Sequence, residues 1–165
     1  MKSFINTIAK ILLVSAFGLV GCKQSMVISR VDYSQSIESV LTPNEQGIVE
    51  DIQHGLKFNI KPIQYVETRD TSSVTTRQIR YIRSSEGYYY ITAPNYKNVY
   101  VMAPDKNKLI LKKKIWISED GVSKPAFNQR ISYIQLLDRT SGASWKLNSE
   151  GIQKEESQMA KNEVQ

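Results

Sequence analysis

From Gly55 to Leu147, turn residues punctuate the chain so closely that no long element fits between them. This spacing constrains the fold more than any other feature. The β-branched and aromatic stretches are Leu56–Glu67, Val74–Arg83, Tyr88–Ala93, Asn98–Ala103, Leu109–Ser118, Ile131–Leu137 and Ala143–Leu147. Between them lie Ser84-Ser85-Glu86-Gly87, Pro94-Asn95, Pro104-Asp105-Lys106-Asn107, Glu119-Asp120-Gly121 and Asp138-Arg139-Thr140-Ser141-Gly142. Short strands joined by such turns make successive antiparallel hairpins. A parallel sheet needs crossovers of about a dozen residues, and there is no room for them. The expected class is α+β, mainly β: an antiparallel meander of six or seven strands with one N-terminal helix packed on it.

The helix is expected from about Pro43 to His54. Thr42-Pro43-Asn44-Glu45 reads as a capping box with proline at the first helical position. Ile48, Val49, Ile52 and Leu56 then share one helical face, and Gly55 supplies a stop. Ile48, Val49 and Ile52 should dock on the sheet. Glu50 and His54 have the spacing of metal ligands, but with Asp51 they occupy the opposite, solvated face. Whether Gln35–Leu41 is a helical turn or a strand stays open.

Composition limits the chemistry. The 165 residues include one cysteine and one histidine, so an intrachain disulfide and a CxxC-type zinc site are excluded. With 41% hydrophobic and 23% charged residues the chain is globular. No GxSxG, SxxK, HExxH or Gly-rich phosphate loop occurs, so no catalytic residue, metal or cofactor is expected.

The lone cysteine closes a targeting signal. Lys2 is followed by an apolar run, Ile11–Val20, too short for a bilayer core, which needs about 20 apolar residues. The run ends Leu19-Val20-Gly21-Cys22. This segment resembles the lipobox of bacterial lipoproteins, with an aliphatic residue at −3, a small one at −1 and cysteine at +1. The resemblance implies cleavage before Cys22, diacylation of its sulfur and acylation of its amine. Three chains on one cysteine make a firm anchor, since one alone binds reversibly. Cleavage removes 21 residues with Lys2 and Lys10, leaving 144 residues and a side-chain charge of +4. Lys23 rather than aspartate follows the cysteine, which implies the outer membrane, facing the periplasm. The expected organisation is signal peptide 1–21, acylated terminus and tether 22–36, one β-rich domain 37–152 and a polar tail 153–165.

Two surfaces are candidate sites. Tyr81, Tyr88, Tyr89, Tyr90, Tyr96 and Tyr100 cluster within twenty residues. Tyr88 and Tyr90 share one face of their strand, and Tyr100 can join a ladder across the hairpin. In the next strand Ile110, Lys112, Lys114 and Trp116 alternate with an apolar face of Leu109, Leu111, Ile115 and Ile117 that Lys113 breaks. Tyr88, Tyr90, Tyr100, Lys112, Lys114 and Trp116 thus form a candidate face for an anionic partner, either envelope lipid or an acidic protein. Nucleic acid is not expected outside the cytoplasm. The second candidate is the loop Ser141-Gly142-Ala143-Ser144-Trp145, which resembles the Ser-Gly-x-x-aromatic loop of membrane-bound lysozyme inhibitors, although the folded domain has none of the cysteines expected of them. Its other reading is a turn with Gly142 left-handed and Trp145 in the core. The function expected is a membrane-anchored, non-catalytic binding or accessory module of the envelope. An inhibitor or exclusion factor and a cell-wall hydrolase are the alternatives.

Overall fold

A computed structural model describes residues 25–28 and 37–153. Cys22, the expected signal peptide and most of the expected tether and tail lie outside the described residues. The chain is mainly β and antiparallel. An eight-stranded sheet runs in the order β2(Ser39–Leu41), β5(Ile79–Arg83), β6(Tyr89–Thr92), β7(Asn98–Asp105), β8(Lys108–Trp116), β1(Ser25–Ile28), β4(Leu56–Asn59), β3(Ile48–Asp51). A second sheet holds β12(Gly151–Ile152), β11(Ser144–Asn148), β10(Ile134–Asp138) and β9(Pro125–Gln129) in that order. The expected meander is present as β5–β8 and again as β9–β12, split between two sheets. The alternative left open at Gln35–Leu41 resolves as strand β2, whereas β3, β9 and β12 were not anticipated.

The expected helix over Pro43–His54 is replaced by a hairpin. Asn44 does not start a helix, because its side chain closes a turn: Oδ1 accepts from the backbone N–H of Gln46 at 3.0 Å and of Ile48 at 2.8 Å. Gly47 follows at φ +81°, which ends any helical run. Ile48–Asp51 then pairs with Leu56–Asn59, from Ile48 opposite Asn59 to Asp51 opposite Leu56. Alternation of period two buries Val49 and Asp51 while Glu50 is exposed. Ile52, expected to dock, sits on the turn and is 88% exposed.

The one described helix, α1(Lys61–Thr68), lies where a strand end was expected. Pro62 is a first-turn helical proline rather than an edge marker. Asn59 Oδ1 accepts from the Lys61 N–H at 2.8 Å, and Arg69 closes the helix in the left-handed conformation at φ 61°.

The large sheet curls until β3 approaches β2. The Tyr81 hydroxyl donates to Asp51 Oδ2 at 2.6 Å across that seam. Inside the curl lies a first core of Val49, Leu56, Phe58, Ile60, Ile63, Tyr81, Tyr89, Ile91, Tyr100, Met102 and Leu109. Alternate residues of the same strands, Ile82, Tyr90, Val99, Val101 and Ile115, face outward and meet Phe127, Ile134, Leu136 and Leu147 of the small sheet in a second core. Both faces of β6 and of β7 as far as Met102 are therefore buried, which accounts for the apolar runs Tyr89–Ile91 and Val99–Met102.

A β-bulge divides β8. Val101 pairs with Lys113 but Met102 pairs with Leu111, so Lys112 is an extra residue. Leu109 and Leu111 pack on the first core, and after the bulge Ile115 and Ile117 belong to the second. The apolar face of β8, which the sequence shows broken at Lys113, changes sides at Lys112.

Candidate functional site

Two polar side chains of α1 build a concave surface against the β6–β7 turn. Gln64 is fully buried. Its Nε2 donates to the carbonyls of Asp70 at 3.1 Å and Ser73 at 2.7 Å, and its Oε1 accepts from the N–H groups of Thr75 and Thr76 at 3.1 and 3.3 Å. One amide thereby fixes a segment that has no regular structure of its own. Thr76 Oγ1 then lies 2.7 Å from the Tyr96 hydroxyl. Burial pushes Tyr96 up to about 12, against the hydrogen bond from Thr76, so its hydroxyl stays protonated.

Glu67, one turn on, fixes the opposite wall. Its Oε1 accepts from the Tyr100 hydroxyl at 2.6 Å and from Asn98 Nδ2 at 2.9 Å, and its Oε2 accepts from the Lys97 N–H at 2.8 Å. Burial and the adjoining Glu67 carboxylate hold Tyr100 far above the ordinary tyrosine range. Behind this wall the β6–β7 turn rests on a second turn. Asn95 N–H donates to the Val122 carbonyl and Val122 N–H to the Tyr96 carbonyl, at 2.8 and 3.0 Å. Gly121, at φ +74°, lies so close that a Cβ there would stand 2.3 Å from the Asn95 carbonyl oxygen.

Between the walls is a cleft of about 400 Å³. Thr75, Thr76, Arg77 and Gln78 line one side, Pro94, Asn95, Tyr96 and Lys97 the other, with Glu67 and Thr68 at the base. Lys97 Nζ is paired with Glu119 at 2.6 Å. Arg77 is exposed on the rim and forms no ion pair among the described residues. Glu67 has both oxygens engaged by donors of the protein itself, so the carboxylate at the base holds the walls together. Sequence reasoning missed this cleft because its parts come from three separate segments, and the helix carrying Gln64 and Glu67 was read as strand.

The expected binding face is not one face. Tyr90 is 1% exposed in the second core, and Tyr100 is wholly buried in the first. Period-two alternation sends them to opposite sides of the sheet, because Tyr100 pairs with Ile91 rather than with Tyr90. Tyr88 and Lys112 do meet: Lys112 Nζ lies 4.4 Å from the Tyr88 ring centroid and 2.7 Å from Glu150, which neutralises it. Lys114 and Trp116 are exposed beyond the bulge, opposite Tyr100 and Asn98, on the other side of the strand from the second core.

In the candidate loop, Ser141 Oγ is turned inward and donates to Asp138 Oδ2 at 3.0 Å. Gly142 is left-handed at φ 76°, and Trp145 packs against the second core, as the turn reading expects.

His54 is not on a solvated face. It is enclosed, with Nδ1 at 2.9 Å from Asp51 Oδ2 and 3.5 Å from Ser39 Oγ. Ser, His and Asp do converge here, but both contacts fall on the same ring nitrogen. A relay needs the hydroxyl on one nitrogen and the carboxylate on the other. Asp51 is pulled up by burial, but hydrogen bonds from Tyr81, His54 and Ser39 outweigh this and hold it at about 2. Among the described residues no group of three or more His, Cys, Asp or Glu is placed to hold a metal ion.

No family model, curated protein or solved structure matches this chain.

Proposed function

We propose that this chain is a lipid-anchored, non-catalytic binding module of the bacterial envelope, held at the outer membrane by acylated Cys22 and taking its partner in the cleft between α1 and the β6–β7 turn. The preformed cleft carries this reading. Its walls are held by Gln64, Glu67 and the Thr76–Tyr96 contact, so little ordering remains to be done on binding. The rim keeps an exposed cation with no ion pair among the described residues, Arg77, beside the hydroxyls and amides of Thr75, Gln78 and Asn95. That set suits a polar segment of another envelope protein that presents a carboxylate.

The test is site-specific photocrosslinking in cells from Asn95, with Ser132 on the β9–β10 turn as the control position. An Asn95 adduct that disappears with Arg77→Glu is the expected result. No adduct from Asn95, or equal adducts from both positions unaffected by Arg77→Glu, would remove the cleft from consideration.

A further inference from the structure

Strand β1, the first described element, lies close in sequence to Cys22. Val27 pairs with Lys108, Met26 with Leu109 and Ser25 with Ile110. The described chain thus begins at Ser25, beside Ile110, next to the far half of β8, Leu111–Trp116. Cys22 is three residues from Ser25, so its Cα lies within about 10 Å of that residue, at 3.3–3.6 Å per residue.

Among the described residues, β7 pairs with that far half of β8 on one side and no strand pairs with it on the other. It carries Lys112, Lys113 and Lys114, all exposed, and Trp116, which is 57% exposed. Glu150 neutralises Lys112, while Lys113 and Lys114 have no ion pair among the described residues. Lysines on a strand edge discourage pairing with another strand. Lysine beside an exposed indole is also the composition of a surface seated at lipid headgroups, where the ammonium meets phosphate and the ring lies at the apolar boundary.

We propose that this edge is the membrane-facing side of the protein. Lys114 and Trp116 from one face of the strand and Lys113 from the other reach past this edge to the anionic headgroups of the leaflet that holds the anchor, laying the folded chain against the bilayer. The proposal rests on acylation at Cys22 for its geometry, and the experiment separates the two. The mature protein is purified from the envelope in a Trp145→Phe background, so that Trp116 is the sole indole. It is reconstituted in vesicles of 30% phosphatidylglycerol and 70% phosphatidylethanolamine containing brominated phospholipid. Mass spectrometry of the same sample reads the acylation.

Trp116 fluorescence should be quenched and blue-shifted. Each lysine near an anionic leaflet multiplies affinity by about five. Lys113→Glu/Lys114→Glu should therefore abolish the quenching, and in sedimentation of the unacylated Cys22→Ser protein it should weaken vesicle binding on the order of twentyfold. Acylated protein without quenching would overturn the edge and leave the anchor standing. Quenching without acylation would overturn the anchor and leave the edge. A concentration-dependent dimer that protects Trp116 without bromolipid quenching would assign the edge to a second copy and overturn the membrane reading.

Discussion

Asp51 ties the seam of the large sheet together, and its protonation should be visible in stability. The ordinary carboxyl value is 3.8 and the folded value about 2. Below the ordinary value the unfolded chain takes up the proton first, so stability falls as pH falls. The contribution is fully present above about pH 4 and lost as pH drops through about 2, and it is on the order of 1–2 kcal/mol. Glu38 is raised by burial and acts in the opposite sense at higher pH, so the comparison must be with a single variant. Asp51→Asn should lower Tm at neutral pH and flatten the acid limb between pH 4 and 2. An unchanged limb in chemical denaturation would show that Tyr81 and His54 do not hold this carboxylate. A second residue-scale test concerns the cleft. Gly121→Ala forces a positive φ and places a methyl against the Asn95 carbonyl, whereas Gly142→Ala at φ 76° meets nothing within 4 Å. Backbone strain alone costs about 1–2 kcal/mol at either position. Gly121→Ala should therefore cost more and also move the amide resonances of Tyr96, Lys97 and Thr76. Equal losses at both positions would mean that the turn behind the cleft wall yields freely.

At the scale of elements, strands with both turn chemistry and β-branched residues were legible. Tyr88–Ala93, Asn98–Ala103 and Leu109–Ser118 coincide closely with β6, β7 and β8. The helix was misplaced because two prolines compete for the same role. Pro43 precedes a side chain, Asn44, that closes its own turn, while Pro62 sits in the first helical turn just after Asn59, whose Oδ1 accepts from the Lys61 N–H. Neither difference is visible in hydrophobic periodicity over so short a window. Burial on two sides also hid the fate of the tyrosines, since a strand between two cores shows no polar face. The bulge at Lys112 was equally hidden, because one extra residue leaves the composition of β8 unchanged. Its consequence is testable. Deleting Lys112 should force either Leu109 and Leu111 or Ile115 and Ile117 out of their cores. Two aliphatic side chains at about 1.5–3 kcal/mol each make this a loss of several kcal/mol. Lys112→Ala keeps the bulge and should leave Tm nearly unchanged. A deletion no worse than the alanine variant would mean that β8 slips without cost.

At the scale of the whole molecule, the two sheets meet through shared side chains. Leu136 is fully buried in a core to which the large sheet contributes Ile82, Tyr90, Val99 and Val101. Glu38 crosses the same boundary: it pairs with Arg80 of β5 at 2.8 Å and accepts from the Phe127 N–H of β9 at 2.9 Å. A small sheet of four short strands has one apolar face, and removing the large sheet would expose it to water. The two sheets should therefore unfold together. The tryptophans report them separately, because Trp116 belongs to β8 and Trp145 to β11. In Trp116→Phe and Trp145→Phe backgrounds the denaturant transitions should coincide. Leu136→Ala should cost about 2–5 kcal/mol and displace both transitions by the same amount, although it lies in the small sheet alone. If the Trp145 transition moved and the Trp116 transition stayed, the sheets would be independent units, and residues 37–152 would not form one domain.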